Sequence, residues 1–177
     1  MTVLETDRLV LRHLNADDAE FILRLVNDPS FIENIGDRGI RSVEQASTYL
    51  LDGPIKSYAT HGYGLYLVVL KPSLEPIGVC GLLKRDHFQD VDLGYALLPE
   101  FWSRGFAFEA AAAVLKFAHD SLGVPRTLGL VTPENVPSIN LLEKLGFSFS
   151  ELRQMKPDGL PTAIYSYSPP KEERSPR

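Results

Sequence analysis

The sequence predicts an α/β chain built on one mixed β-sheet with helices on both faces. Three observations carry this. Short apolar or alternating segments recur at strand length. One long segment has helical periodicity. The order of segments passes from meander-like in the first half to β-α-β-α-β in the middle. At 177 residues, 44% hydrophobic and 23% charged, the chain reads as a single domain over residues 1–168, large enough to bury its own core.

Arg8-Leu-Val-Leu-Arg-His13 alternates and predicts the first strand. Asn15 is a candidate N-cap with acids in the turn after it, and Ala19, Ile22, Leu23 and Val26 give the following helix an apolar face that ends by Asp28-Pro29. A second short helix is expected over Val43–Leu51, after Ser42, and Pro54–Gly64 reads as partly helical and then loop. Leu65–Leu70 and Ile77–Lys84 form a hairpin around Pro72-Ser-Leu-Glu-Pro76, and Val91–Leu98 is the next strand. Phe108, Ala111, Ala112, Leu115, Ala118 and Leu122 recur at helical spacing and predict a helix over Arg104–Leu122, with Gly123 suited to its C-terminal cap. Leu128–Val131 is a short apolar strand. Pro137 fits the first turn of a helix lined by Ile139, Leu142 and Leu145 and stopped by Gly146. Phe147–Met155 and Ala163–Tyr167 read as a last hairpin around Pro157-Asp-Gly-Leu-Pro161. The polar, proline-bearing tail Pro169–Arg177 reads as disordered.

Composition excludes several classes of function. A net charge of -5 argues against non-specific nucleic-acid binding, which feeds on basic faces. Cys80 is the only cysteine, so an intrachain disulfide and a cysteine-based zinc site are excluded and a reducing cytoplasm fits. No apolar signal region opens the chain, and no apolar run approaches the ~20 residues that span a membrane. His13, His61, His87 and His119 show no ligand spacing, so no metal is expected. The phosphate-loop, dinucleotide, nucleophile-elbow and zincin motifs are all missing.

Two stretches carry chemistry. In Trp102-Ser-Arg-Gly-Phe-Ala107 a strand runs through a small-residue turn into a helix. That order builds an anion cradle from backbone N–H groups. Gly105 lets the backbone approach a ligand, Ala107 keeps the next turn thin, and Arg104 can add a charge-assisted contact to phosphate. The alternative is a tight turn that holds nothing. In the second stretch, Asn135 and Ser138 stand at a helix entrance, where both can be caps and no more.

Together these stretches resemble the GNAT superfamily of N-acetyltransferases. The family's acetyl-CoA signature, Gln/Arg-x-x-Gly-x-Gly/Ala, reads Trp102, Gly105, Ala107 here. Its later pattern reads Asn135, Ser138, Glu143, Lys144, Gly146, Phe147. Glu5-Thr-Asp-Arg-Leu-Val-Leu-Arg12, Gly78-Val-Cys-Gly81, Gly94-Tyr95 and Trp102-Ser-Arg-Gly-Phe-Ala-Phe-Glu109 look like the RimJ/RimL-type branch, named for ribosomal-protein N-terminal acetyltransferases.

The resemblance implies a seven-stranded mixed sheet splayed between its fourth and fifth strands, Val91–Leu98 and Leu128–Val131. It implies that the pantetheine arm of acetyl-CoA pairs with the backbone of Tyr95, Ala96 and Leu97 in that gap. The pyrophosphate would rest on N–H groups of Ser103, Arg104, Gly105, Phe106, Ala107 and Phe108. Asn135 and Ser138 would flank the thioester, and a primary amine would arrive between the N-terminal helices and the last hairpin. A neutral amine, whether a protein N-terminus or a small molecule, would attack the thioester directly, with a backbone N–H near Leu97 for the oxyanion. The protein would work as a monomer or homodimer.

Asp92 and Asp90 are candidate bases on one strand face, with a solvated strand edge as the bland reading. His87 is a further candidate that also reads as a loop residue. The chain departs from the family pattern twice. Leu142 stands where many members place a tyrosine that protonates the leaving thiolate, so the resemblance passes that role to Ser138. Trp102 replaces the usual Gln or Arg. Glu109 reads as structural. A non-catalytic acyl-CoA-binding module of the same fold, and a different acyl donor such as succinyl-CoA, are the competing readings.

Overall fold

A computed structural model describes residues 1–170; the expected disordered tail lies outside them from position 171 onward. One sheet of eight strands runs in the order β1-β2-β3-β4-β5-β6-β8-β7. The strands are β1 (Thr2–Glu5), β2 (Leu9–His13), β3 (Leu65–Leu70), β4 (Pro76–Leu83), β5 (Val91–Leu97), β6 (Thr127–Val131), β7 (Ser148–Arg153) and β8 (Thr162–Tyr167). Every neighbouring pair is antiparallel except β5–β6. The strand beyond the expected seven is β1. It is a four-residue edge with a register break between Thr2 and Leu4, too short and too irregular to alternate.

The register sets His13, Tyr66, Cys80 and Tyr95 opposite one another across β2 to β5, on one face of the sheet.

The N-terminal helical region is more divided than the expected two helices. It comprises α1 (Ala19–Val26), α2 (Pro29–Asn34), α3 (Val43–Leu50) and α4 (Lys56–His61), with one π turn over Leu51–Ile55 joining the last two. Asn15 caps not α1 itself but a 3-10 turn over Ala16–Asp18 that leads into it, forming a reciprocal capping box with Asp18. Asp28-Pro29 does end α1, but it also starts α2. The Asp28 carboxylate accepts the Ser30 N–H at 2.9 Å, and proline at the first helical position loses no hydrogen bond.

Helix α5 (Phe106–Asp120) begins later and ends earlier than the periodicity predicts. Ser103 and Gly105 have φ of 58° and 80°, left-handed values that no helix accommodates, so the helix cannot reach back to Arg104. Ala110, Ala111, Val114 and Ala118 are fully buried, and their small size lets α5 lie close against β4 and β5. Helix α6 (Val136–Lys144) follows β6 and closes at Gly146, whose N–H bonds the Glu143 carbonyl. No described helix is long and apolar enough to cross a membrane.

Candidate active site

The parallel pairing of β5 with β6 covers only Val91↔Thr127 and Asp92↔Leu128. Beyond Asp92 the strands part. Leu93 to Leu97 keep β4 on one side, with Leu82↔Leu93 through Gly78↔Leu97, and among the described residues have no strand on the other. Alternate peptide groups along this segment are thereby left open to an extended ligand, apart from the Leu97 carbonyl, which accepts the Trp102 indole N–H, since backbone donors and acceptors need partners.

β5 leads directly into the second part of the site. A 3-10 turn over Pro99–Phe101 carries the chain to the left-handed Gly105, which is the N-cap of α5 and makes no side-chain cap. The first helical bond runs from the Glu109 N–H to the Gly105 carbonyl. Among the described residues the N–H groups of Phe106, Ala107 and Phe108 therefore have no hydrogen-bond partner, at the positive end of a helix dipole. A Cβ added to Gly105 would meet only the Arg8 Nη2, at 3.2 Å. These features fit a diphosphate carried on backbone donors. The Arg104 guanidinium lies 4.9 Å from the centre of the Phe106 ring, at the same turn. Trp102 donates its indole N–H to the Leu97 carbonyl at 2.9 Å, so that side chain braces the turn against the end of β5.

The third part is the entrance to α6. Asn135 Oδ1 accepts the Ser138 N–H at 3.3 Å, and its Nδ2 makes no hydrogen bond among the described residues. Ser138 Oγ is hydrogen-bonded to the Tyr95 hydroxyl, which links α6 to β5 across the gap. Burial pushes the Tyr95 phenol up to about 12 against the effect of the Ser138 bond, so it stays protonated across the physiological range. The resemblance implies only a backbone role for Tyr95. Strand alternation was the available signal: it sets Tyr95 on the face opposite Asp92.

Asp92 is 2% exposed, which overturns the reading of a solvated strand edge. Its Oδ1 accepts from Arg85 Nε at 2.9 Å, and its pKa is raised because burial outweighs the arginine. Asp90 is not on the strand. It precedes β5 and lies 3.8 Å from Arg126, so the two acids do not share a face. His87 is an exposed residue of the β4–β5 loop. Leu142 is buried and its side chain occupies the space above Gly129 on β6, so that helix position faces the sheet.

A gap between parallel strands, beside a helix N-terminus with free donors, is the arrangement expected of an acyl-CoA-dependent N-acyltransferase. The chain belongs to the acetyltransferase (GNAT) domain family, which it matches over residues 8–148. It is 32% identical over 176 residues to the uncharacterized N-acetyltransferase YoaA of Bacillus subtilis strain 168, covering 96% of this chain and 98% of that one. It superposes on the crystal structure of an acetyltransferase from Agrobacterium tumefaciens with a TM-score of 0.79 at 25% identity, covering 96% and 95% of the two chains. The same fold is shared with RimL, a ribosomal L7/L12 α-N-protein acetyltransferase in complex with coenzyme A, at a TM-score of 0.81, 16% identity, and 95% and 98% coverage. The chain is an acetyl-CoA-dependent N-acetyltransferase.

Proposed function

We propose that this protein, through a single domain over residues 1–168, transfers the acetyl group of acetyl-CoA to a primary amine by direct attack in a ternary complex. The observation that carries the reading is the parting of β5 from β6 after Asp92, continuous along the chain with the unpartnered N–H groups of Phe106 to Phe108. Acetyl-CoA supplies the activated carbonyl. The residues do the rest. The open edge of Tyr95, Ala96 and Leu97 aligns the pantetheine arm, and the turn Ser103–Phe108 holds the diphosphate. The amide of Asn135, whose Nδ2 has no partner among the described residues, orients the acyl end. Holding the reactants in line supplies much of the rate.

Two groups handle protons from opposite faces of β5. Asp92, buried and with its raised pKa, accepts the amine proton through water, as a base with a pKa moved toward neutrality does best. As the carbon–sulfur bond breaks, Ser138 gives its hydroxyl proton to the departing sulfur and takes one from Tyr95 across their hydrogen bond, and Tyr95 regains its proton from solvent water before the next turnover. This pair replaces the tyrosine for which Leu142 leaves no room.

The acceptor is a protein N-terminus or a small-molecule amine. RimL's L7/L12 specificity belongs to a neighbour of 16% identity, where the likeness is one of fold. Thiol release from acetyl-CoA, measured across a panel of N-terminal peptides, polyamines and amino sugars, tests the function. Release with at least one acceptor class is expected, and silence across the whole panel would overturn the reading.

A further inference from the structure

The turn between β1 and β2 reaches across the molecule to the diphosphate turn. The Glu109 carboxylate, in the first turn of α5, accepts from the Thr6 hydroxyl at 2.6 Å, from the Arg8 backbone N–H at 2.9 Å and from Arg8 Nε at 2.7 Å. Thr6 is held in turn, its Oγ1 accepting the Leu9 N–H at 3.0 Å. Arg8 Nη1 donates to the Arg104 carbonyl at 2.9 Å, and the guanidinium lies 4.4 Å from the centre of the Phe106 ring. Nη2 makes no hydrogen bond among the described residues and is the atom beside Gly105.

Two consequences follow. A trans peptide is planar, so fixing the Arg104 carbonyl toward Arg8 fixes the Gly105 N–H on the opposite side and holds the left-handed turn in place. Glu109 also puts a negative charge within one helical turn of the unpartnered N–H groups. A carboxylate is favourable at a helix N-terminus, but it repels a diphosphate bound there unless a cation covers it. Burial opposes ionisation of Glu109, yet the bonds from Thr6 and Arg8 prevail and hold its pKa below the usual range, so it is charged at neutral pH.

We propose that Arg8 is a positioning residue of the coenzyme A diphosphate site: it pins the Arg104–Gly105 peptide and masks the Glu109 charge from the bound diphosphate. The proposal rests on the placement of the diphosphate at Ser103–Phe108 given above.

Titration calorimetry with coenzyme A and with pantetheine, which lacks the diphosphate, tests it without an acceptor amine. Arg8→Ala is expected to weaken coenzyme A about tenfold, the scale of a charge-assisted hydrogen bond, and to leave pantetheine unchanged. Adding Glu109→Gln to Arg8→Ala is expected to recover part of that loss, which a merely structural role would not produce. Arg8→Lys keeps the charge but loses the fork, so its loss is smaller, and it carries the test if the alanine variant does not fold. A wild type that prefers coenzyme A to pantetheine, with variants that prefer it equally, overturns the proposal alone. Equal weakening of both ligands also overturns it. A wild type without that preference overturns the diphosphate placement itself, and the role of Arg8 with it.

Discussion

At Tyr95 and Ser138 two neutral hydroxyls share one hydrogen bond, and neither has another polar side chain as partner. Groups arranged in series should fail as a unit. Tyr95→Phe and Ser138→Ala are each expected to slow acetyl transfer by roughly 10- to 100-fold, with the acetyl-CoA KM largely kept. The double variant should be little worse than the poorer single one. Pre-steady-state thiol release measures this, and a double loss equal to the product of the singles would mean that the two act separately.

Asp92 makes a second prediction. Burial raises its folded-state pKa, so the folded chain holds this proton more tightly than the unfolded chain does. The associated stability is complete below the ordinary aspartate range and declines as pH rises through the raised value. Asp92→Asn should remove that decline from urea midpoints measured against pH, while lowering kcat on the order of 100-fold and abolishing the acidic limb of its pH profile. Glu109 has the opposite sign. Its lowered pKa gives stability that is present above the ordinary glutamate value and lost as pH falls.

Among the elements, α6 is the one whose position decides the site, because it carries Asn135 and Ser138. Its approach to the sheet depends on Gly129. A Cβ there would come within 2.8 Å of the Leu142 side chain. Gly129→Ala should therefore destabilise the fold by about 1–3 kcal/mol in denaturant unfolding, and Leu142→Val should relieve part of that in the double variant. Leu142→Tyr should also destabilise, without raising turnover, because the added ring has no space at the sheet.

The same elements show what the sequence makes legible. Periodicity located α5 and α6, since both have continuous apolar faces. Periodicity starts α5 too early because Arg104 fits a helix by residue type, whereas the φ of Ser103 and Gly105 comes from how the turn meets its surroundings. α2 was hidden because proline signals both the end of one helix and the start of the next. β1 was invisible because four residues paired on one side need no pattern. Within the candidate site, short motifs single out Gly105, Asn135 and Ser138. The Tyr95–Ser138 bond and the Arg8–Glu109 network join residues 43 and 101 positions apart, and no local pattern records such distances.

For the molecule as a whole, the sheet is two antiparallel halves, β1–β5 and β6-β8-β7, joined by two parallel residue pairs. A ligand lying along that seam contacts both halves. Acetyl-CoA at 100 times its Kd should add about 2.7 kcal/mol to the unfolding free energy. Hydrogen exchange should show the added protection in β6 and α6 as well as in β5. Protection confined to β5 and α5 would mean that the ligand does not bridge the seam.

Cys80 stands opposite Tyr95 on β4, is fully buried, and has its thiol pushed up to about 12 by that burial. It is also the only sulfhydryl in the chain. Alkylating reagents attack thiolates that they can reach, so labelling waits for the packing over this face of β4 to open. The protein thus carries its own stopwatch for breathing motions beside the proposed reaction centre, readable by mass spectrometry without any added probe. While the chain stays folded, a colorimetric thiol reagent counts only released product, with no background from the enzyme.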